Sequence, residues 1–386
     1  MANNQKKKKS QKLKPGVALA LKIALIVFIA ITLIFFAARM LGGITLTSVV
    51  ENIKISISNL GAGDGYPYSV EGTGIKKAFV YSDKLFTFAD DRTLLLSSSA
   101  KELSTETIEY GSPVIDFKDG KAVVYDTDSG KLRIQNTSKV VSTSELKNKI
   151  TCAAIGEKGN FAVSCITGNN QTVFTAFNKS QEEIFTWNFA SELVTCIDLS
   201  SDGKYAVVGT VKSENAETDS KVYVFKFDSE EYVSCFDFNQ NVVISVRYVK
   251  SHDIEVITDK QRAYITDNST KATEHSFESN TLHDISHIDS RYTAISMLKY
   301  GSDSNVVVDV YDRDEKIYSV DLGSSAKAVS VNERYMAVLT DSKITIYNKK
   351  GEIKAEMSAD VSANDIVVSN KKVYMITPVE IICMPF

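Results

Sequence analysis

TCAAIGEKGNFAV, residues 151–163, lies without a gap over TCIDLSSDGKYAV, residues 195–207, at an offset of 44 residues. Both stretches open on Thr-Cys, turn at a Gly (Lys158-Gly159 and Asp202-Gly203) and leave the turn on aromatic-Ala-Val. The same core returns as Asp119-Gly120-Lys121-Ala122-Val123-Val124, as Arg291-Tyr292-Thr293-Ala294-Ile295 and as Arg334-Tyr335-Met336-Ala337-Val338. A period of this size is the mark of a repeat architecture. The unit from Val194 separates into four short runs, VTCIDLS, KYAVVGTV, SKVYVFKF and EYVSCFDF. Each is rich in β-branched and aromatic residues and bounded by turn residues. Four strands in about 40–45 residues predict the blade of a β-propeller.

Working outward, units begin near Ile75, Pro113, Ile150, Val194, Val242, Leu282, Ala326 and Ala363. The eighth holds only DIVVS, KVYMIT and EIICMP before the chain stops at Phe386. One strand, residues 66–71, stands unassigned ahead of the first unit. It is predicted to complete the last blade beside Ile381-Ile382-Cys383, because closure removes an open sheet edge. The expected fold is therefore all-β, an eight-bladed β-propeller, with seven blades as the nearest competing count. A pair of β-sandwiches would explain short strands but not the four-strand period.

Ahead of the propeller, VALALKIALIVFIAITLIFFAARM, residues 17–40, carries only Lys22 and Arg39 as charges, one near each end. As a helix it rises about 36 Å, enough for a hydrocarbon core of about 30 Å. The uncharged run from Ile23 to Ala38 is longer than the apolar region of a cleaved signal peptide, usually about 7–15 residues, so an uncleaved anchor is expected. Residues 1–16 form a Lys-rich tail that stays in the cytoplasm. Residues 41–65 read as a stalk and hinge. Leu46, Val49, Val50, Ile53, Ile57 and Leu60 recur at helical spacing, which suits a spacer or a helix that pairs with a partner. Residues 66–386 form the propeller. The expected location is a bacterial cell membrane, single-pass, with the lipid bilayer contacted through residues 17–40 and the propeller extracytoplasmic.

Charge narrows the partners. The chain holds 44 basic and 48 acidic residues. Eight of the basic residues and no acidic ones fall in residues 1–43, so 36 face 48 in the remainder. An acidic body repels polyphosphates, and no nucleic-acid partner is expected. Apolar residues at 44% and charged residues at 24% are those of a globular protein.

Taken in order, the Lys-rich tail, the anchor, the short stalk, GYPYSVEG (residues 65–72) and the blades resemble a family of membrane-anchored propeller proteins of Gram-positive bacteria classed as a domain of unknown function. LSSDGKYAVVGT followed by KVYVFKFD resembles the blades of WD40-like and quinoprotein-like propellers more generically. The resemblance implies fold and location and no activity. The chain lacks the Gly-His pairs of true WD40 repeats, and its one Trp, Trp187, precedes Asn188.

The search for chemistry gives little. His283 and His287 share a strand face but stand about 13 Å apart, too far for one metal. Ser-x-x-Lys occurs at Ser98/Lys101, Ser144/Lys147 and Ser324/Lys327, none on an expected helix, which that nucleophile requires. The clusters Asp126/Asp128 and Asp309/Asp312/Asp314 offer oxygens at turns but no complete calcium loop. If Lys158-Gly159 makes a two-residue turn, Cys152 faces Cys165 across a hairpin. Whether they bridge is open, because opposed Cβ atoms at about 4.5–5.5 Å must close to about 3.8 Å. Asp116, Asp198, Arg247, His283 and Asp365 fall on the innermost strands, where a ligand or trapped water would meet them. No catalytic, cofactor or metal residue is assigned. The expected function is a non-catalytic binding or scaffold module for a protein or cell-envelope partner. The alternative is an extracytoplasmic hydrolase or lyase using channel carboxylates.

Overall fold

Asp119 and Gly120 both take positive φ, 46° and 71°. That pair is the turn a two-residue hairpin requires, and Lys118 and Lys121 face each other across it. Such hairpins, repeated, build the chain into eight four-stranded antiparallel sheets. The structure is a computed structural model that describes residues 63–386 except 73, 169–170, 215–216, 251, 268–271, 288–290 and 303. The expected tail, membrane span and most of the stalk lie outside the described residues.

Blade 1 runs Ile75–Tyr81, Lys84–Ala89, Arg92–Leu96 and Glu102–Thr107. The innermost strands of blades 2 to 7 are Pro113–Lys118, Lys149–Ile155, Leu193–Leu199, Val243–Lys250, Thr281–Ser286 and Ala328–Val331. Blade 8 has three consecutive strands, Asp365–Ser369, Lys372–Ile376 and Glu380–Pro385, and takes its fourth, Tyr68–Ser69, from the far end of the chain. Tyr68 pairs with Ile381 and Ser69 with Glu380. The Val70 N–H donates to the Val379 carbonyl at 2.7 Å. The closing strand is shorter than the six residues expected. Just before it the chain turns to blade 1, where Gly65 N–H donates to Ser99 O at 3.2 Å and Tyr66 OH to Ser97 O at 3.2 Å.

Burial explains the blade pattern. Middle strands are covered on both faces and read as continuous apolar runs, such as Ala122 to Tyr125, all buried. Outer strands alternate, as in Val140–Glu145. Each junction between neighbouring blades holds its own apolar cluster. Phe86, Phe88 and Leu95 meet Ile115, Ala122 and Val124 between blades 1 and 2. Ile75, Leu85 and Leu96 meet Val367, Ile376 and Ile381 between blades 1 and 8, which closes the ring.

The cysteine expectation is corrected. The turn after Ile155 is longer than two residues, so Ile155 pairs with Phe161. A bulge at Thr151 then shifts the register again, and Cys152 faces Ser164 while Cys165 faces Ile150. The two thiols serve opposite faces of blade 3. Cys152 packs toward blade 4 and Cys165 toward blade 2. All five cysteines are free. Protein denatured without reductant is expected to take up five alkyl groups by mass spectrometry; a shortfall of two would overturn this pairing.

Candidate functional site: the central channel

An innermost strand has a sheet partner on one side only. Its other edge leaves backbone N–H groups without a ladder partner, and these need acceptors. The aspartates supply them. Asp116 on blade 2 accepts the Ile155 N–H of blade 3 at 2.8 Å. Asp198 on blade 4 accepts the Tyr248 N–H of blade 5 at 2.7 Å. Asp284 on blade 6 accepts the Val329 N–H of blade 7 at 3.1 Å. Ser286 and Ser330 do the same for Val331 and Val368 at 3.1 and 2.9 Å. Asp365 on blade 8 accepts the N–H of its own neighbour Ile366 at 2.7 Å. On blades 2, 4 and 6 a carboxylate thus clasps one inner strand to the next.

The remaining oxygens are partly committed. Asp198 also takes Lys118 Nζ at 2.7 Å and the Leu199 N–H at 2.8 Å. Asp284 also takes the Ile285 N–H at 2.8 Å. Burial pushes the Asp116 carboxyl up to about 6; the Ile155 N–H opposes this and the charge of Asp198 adds to it. Burial likewise lifts Asp365 to about 6, with Asp284 adding to it. The exposed Lys77 on blade 1 acts electrostatically on Asp116, Asp284 and Asp365. His287 sits at the end of the inner strand of blade 6, open to water along the channel but walled by protein. Burial and the charge of Arg247 lower it to about 4.

These shifts set a pH dependence. The folded value of Asp116 and Asp365 lies above the unfolded one, so their stabilisation is full below about pH 4 and is lost as pH rises through 6. Each carries at most about 3 kcal/mol, less where channel water screens it. His287 acts oppositely, and its contribution is lost as pH falls from about 6.5 toward 4. Asp116→Asn with Asp365→Asn is expected to match the wild type in urea at about pH 3.5 and to exceed it at pH 8. Lower stability of the variant at both pH values would overturn the assignment.

Of the five residues expected at the channel, Asp116, Asp198 and Asp365 join the inner strands as described. His283 is the bulged residue near the start of its strand, where Nδ1 lies 3.3 Å from Ser296 Oγ. Arg247 is corrected. It points into the wall, where its Nε donates to Glu255 Oε2 at 2.6 Å and its Nη2 to Thr293 Oγ1 at 2.6 Å. Arg262, fully buried, holds the other oxygen of Glu255 at 2.6 Å and lies 4.2 Å from the Tyr311 ring centre. Burial works to raise the Glu255 carboxyl, but the two arginines overrun it and hold it at about 2. Lys77, Lys118, Asp284 and Glu255 were missed, and His287 was weighed only together with His283. Asp284 alone had a signal, its inner-strand position one residue after His283.

The other sequence candidates dissolve into local structure. Asp126 accepts the N–H groups of Gly111, Ser112 and Asp128. Asp312 pairs with Arg291, and Asp309 receives Lys316 Nζ at 3.2 Å. Ser98/Lys101, Ser144/Lys147 and Ser324/Lys327 lie on loops and a strand end, with no helix beneath them. Among the described residues no three His, Cys, Asp or Glu side chains converge as a metal site.

Known proteins resemble the ring in fold. The C-terminal WD40 domain of Sif2 superposes with a TM-score of 0.59 at 11% identity, over 83% of this chain and 99% of that one. Sqt1 of Saccharomyces cerevisiae gives 0.57 at 14%, over 84% and 100%. BamB from Moraxella catarrhalis gives 0.52 at 14%, over 83% and 100%. No curated protein matches the chain in sequence. Residues 67–386 match one described family over the whole ring, and the chain belongs to that family of unknown function, DUF5711.

Proposed function

We propose that the protein is a membrane-anchored, extracytoplasmic β-propeller that acts as a non-catalytic binding or scaffold module for a protein or cell-envelope partner. The observation that carries this reading is the use of the channel carboxylates. Asp198 and Asp284 commit both oxygens to hydrogen bonds, and Asp116 and Asp365 one each. A general acid or base needs a free oxygen within reach of its substrate. The apolar run of residues 17–40, the Lys-rich residues 1–16 and the acidic remainder support the anchor, the inside position of the N-terminus and the bacterial cell membrane. Residues 41–65 serve as the spacer, and residues 66–386 present the loops.

One observation favours the hydrolase or lyase reading. Asp116 and Asp365 each keep one oxygen and titrate near neutrality. Crosslinking in native membranes with identification of partners tests the scaffold. A stable partner is expected; none at any position of the ring would sink it. Protease added outside intact, wall-stripped cells is expected to degrade the propeller. Full protection would overturn the topology.

A further inference from the structure

The two faces of the ring differ in their loops. Call upper the face with the loops that enter each blade and those that join its second and third strands. The lower face has the remaining hairpin turns. The chain joins the ring from below, where Gly63 N–H donates to Ser99 Oγ at 3.1 Å. Eleven large apolar side chains are exposed among the described residues. Val141, Ile184, Tyr232, Val233, Ile317 and Ile353 lie on outermost strands, where alternation puts one side chain in two toward water. The other five are Leu193, Ile244, Tyr300, Val361 and Val379, exposed by 40, 46, 81, 73 and 65%. By position, all five belong to the upper face. Leu193 and Ile244 open the inner strands of blades 4 and 5. Tyr300 and Val379 sit between the second and third strands of blades 6 and 8, and Val361 on the loop into blade 8.

Charge on that face runs one way. Glu71, Glu109, Glu145, Glu217 and Glu278 are exposed on upper loops and strand ends and take part in no ion pair among the described residues. Among the described residues Lys131, Lys147 and Lys260 are the exposed cations on upper loops and strand ends outside the ion pairs, and Lys260 Nζ donates to the Gln240 carbonyl. On blade 4 the second and third strands, Tyr205–Glu214 and Glu217–Lys226, extend to ten residues each and raise one wall of an upper cleft of about 420 Å³. Glu192 in its floor is held by Thr210 Oγ1 at 3.2 Å and Tyr223 OH at 3.0 Å. Leu193 follows it directly. Exposed apolar side chains on the same face as carboxylates outside ion pairs fit a partner that offers both apolar side chains and cations.

We propose that the upper face docks a protein partner through a basic segment that also carries apolar side chains. This rests on the scaffold reading and adds the face and the partner's chemistry. The full-length protein in cells, with a photocrosslinking residue placed in turn at Tyr300 and Val361 (upper), Lys204 and Lys350 (lower) and Val141 and Ile353 (rim), separates the two. Crosslinks from the upper positions to a net-basic peptide are expected. They should fall at least tenfold with Glu109→Lys, Glu145→Lys and Glu278→Lys combined, and equally with Ile244→Ser and Val379→Ser combined. All five positions are exposed, so folding is retained and is checked by thermal melting. Crosslinks only from the lower face or the rim would overturn the proposal and leave the scaffold standing. Upper crosslinks to an acidic peptide, or crosslinks indifferent to both variants, would also overturn it. No crosslink at any position would sink both.

Discussion

Deleting residues 66–71 is expected to lower the melting temperature of the propeller by about 10 °C or more, corresponding to roughly 5 kcal/mol for a chain of this size. Six residues from an ordinary surface loop cost far less. The strand is short, but three partly buried side chains ride on it. Tyr66, Tyr68 and Val70 pack against the seam cluster that contains Ile75, Val367, Tyr374 and Ile381. The Tyr66 and Tyr374 rings meet edge to face at 5.5 Å. Each loses about 1–2 kcal/mol of burial when removed. The edge of Glu380–Pro385 is then fully open, with Ile381 no longer covered, and such an edge recruits other chains. Aggregation on size-exclusion chromatography should accompany the fall in melting temperature. A melting temperature within 2–3 °C of the parent, about 1 kcal/mol, would show that the ring holds without its closing strand.

Glu255→Gln is expected to destabilise the protein by about 3–5 kcal/mol in urea at pH 7. The shape is kept and the charge is lost. Arg262, with a side chain 0% exposed, would remain buried without a carboxylate, and Arg247 with it. Replacing all three together, as Arg247→Met, Glu255→Leu and Arg262→Met, should recover most of the loss, because the desolvation penalty goes with the charges. In the parent, the folded value of Glu255 lies near 2, below its unfolded value of about 4.3. Its stabilisation is therefore full above about pH 4.5 and is lost as pH falls toward 2, a total of roughly 3 kcal/mol. Glu255→Gln should lack that acid limb. Equal acid sensitivity in the two proteins would mean that the ion pair network does not set it.

The blade count and closure were legible because they depend on backbone chemistry written locally. Asp119-Gly120 and Asp202-Gly203 name their turns, and a gap-free match fixes the period. Predicted starts at Ile75 and Pro113 coincide with observed strands, and the others fall within about two residues. Register inside the strands was not legible. Bulges follow Ile75, Ile150, Val194, Val243 and Leu282, near the start of five inner strands, and nothing in those residues announces them. That is why Cys152 and Cys165 part company. Side-chain destinations were hidden for a related reason. Asp116 and Arg247 occupy similar inner-strand positions, yet one reaches a neighbouring N–H and the other a buried Glu on its own blade. In each case the partner lies on another strand, at a distance that only folding supplies. At Gly209 the reverse holds. A Cβ there would stand 2.5 Å from Cys196 Sγ, so the glycine answers a packing demand that no turn signal records.

The seam between Ser69 and Glu380 also orders events in time. The ribosome makes Ser69 long before Glu380, so the ring cannot close until its eighth blade has been made. Each apolar cluster lies between neighbouring blades, so folding can advance blade by blade behind the growing chain while the leading edge stays unpaired. A product that stops between the first blade and the eighth therefore carries an open, apolar edge that the closed ring lacks. Closure is recorded in the shape of the product, and a protease or chaperone that recognises unpaired strands can sort closed rings from fragments without reading their sequence.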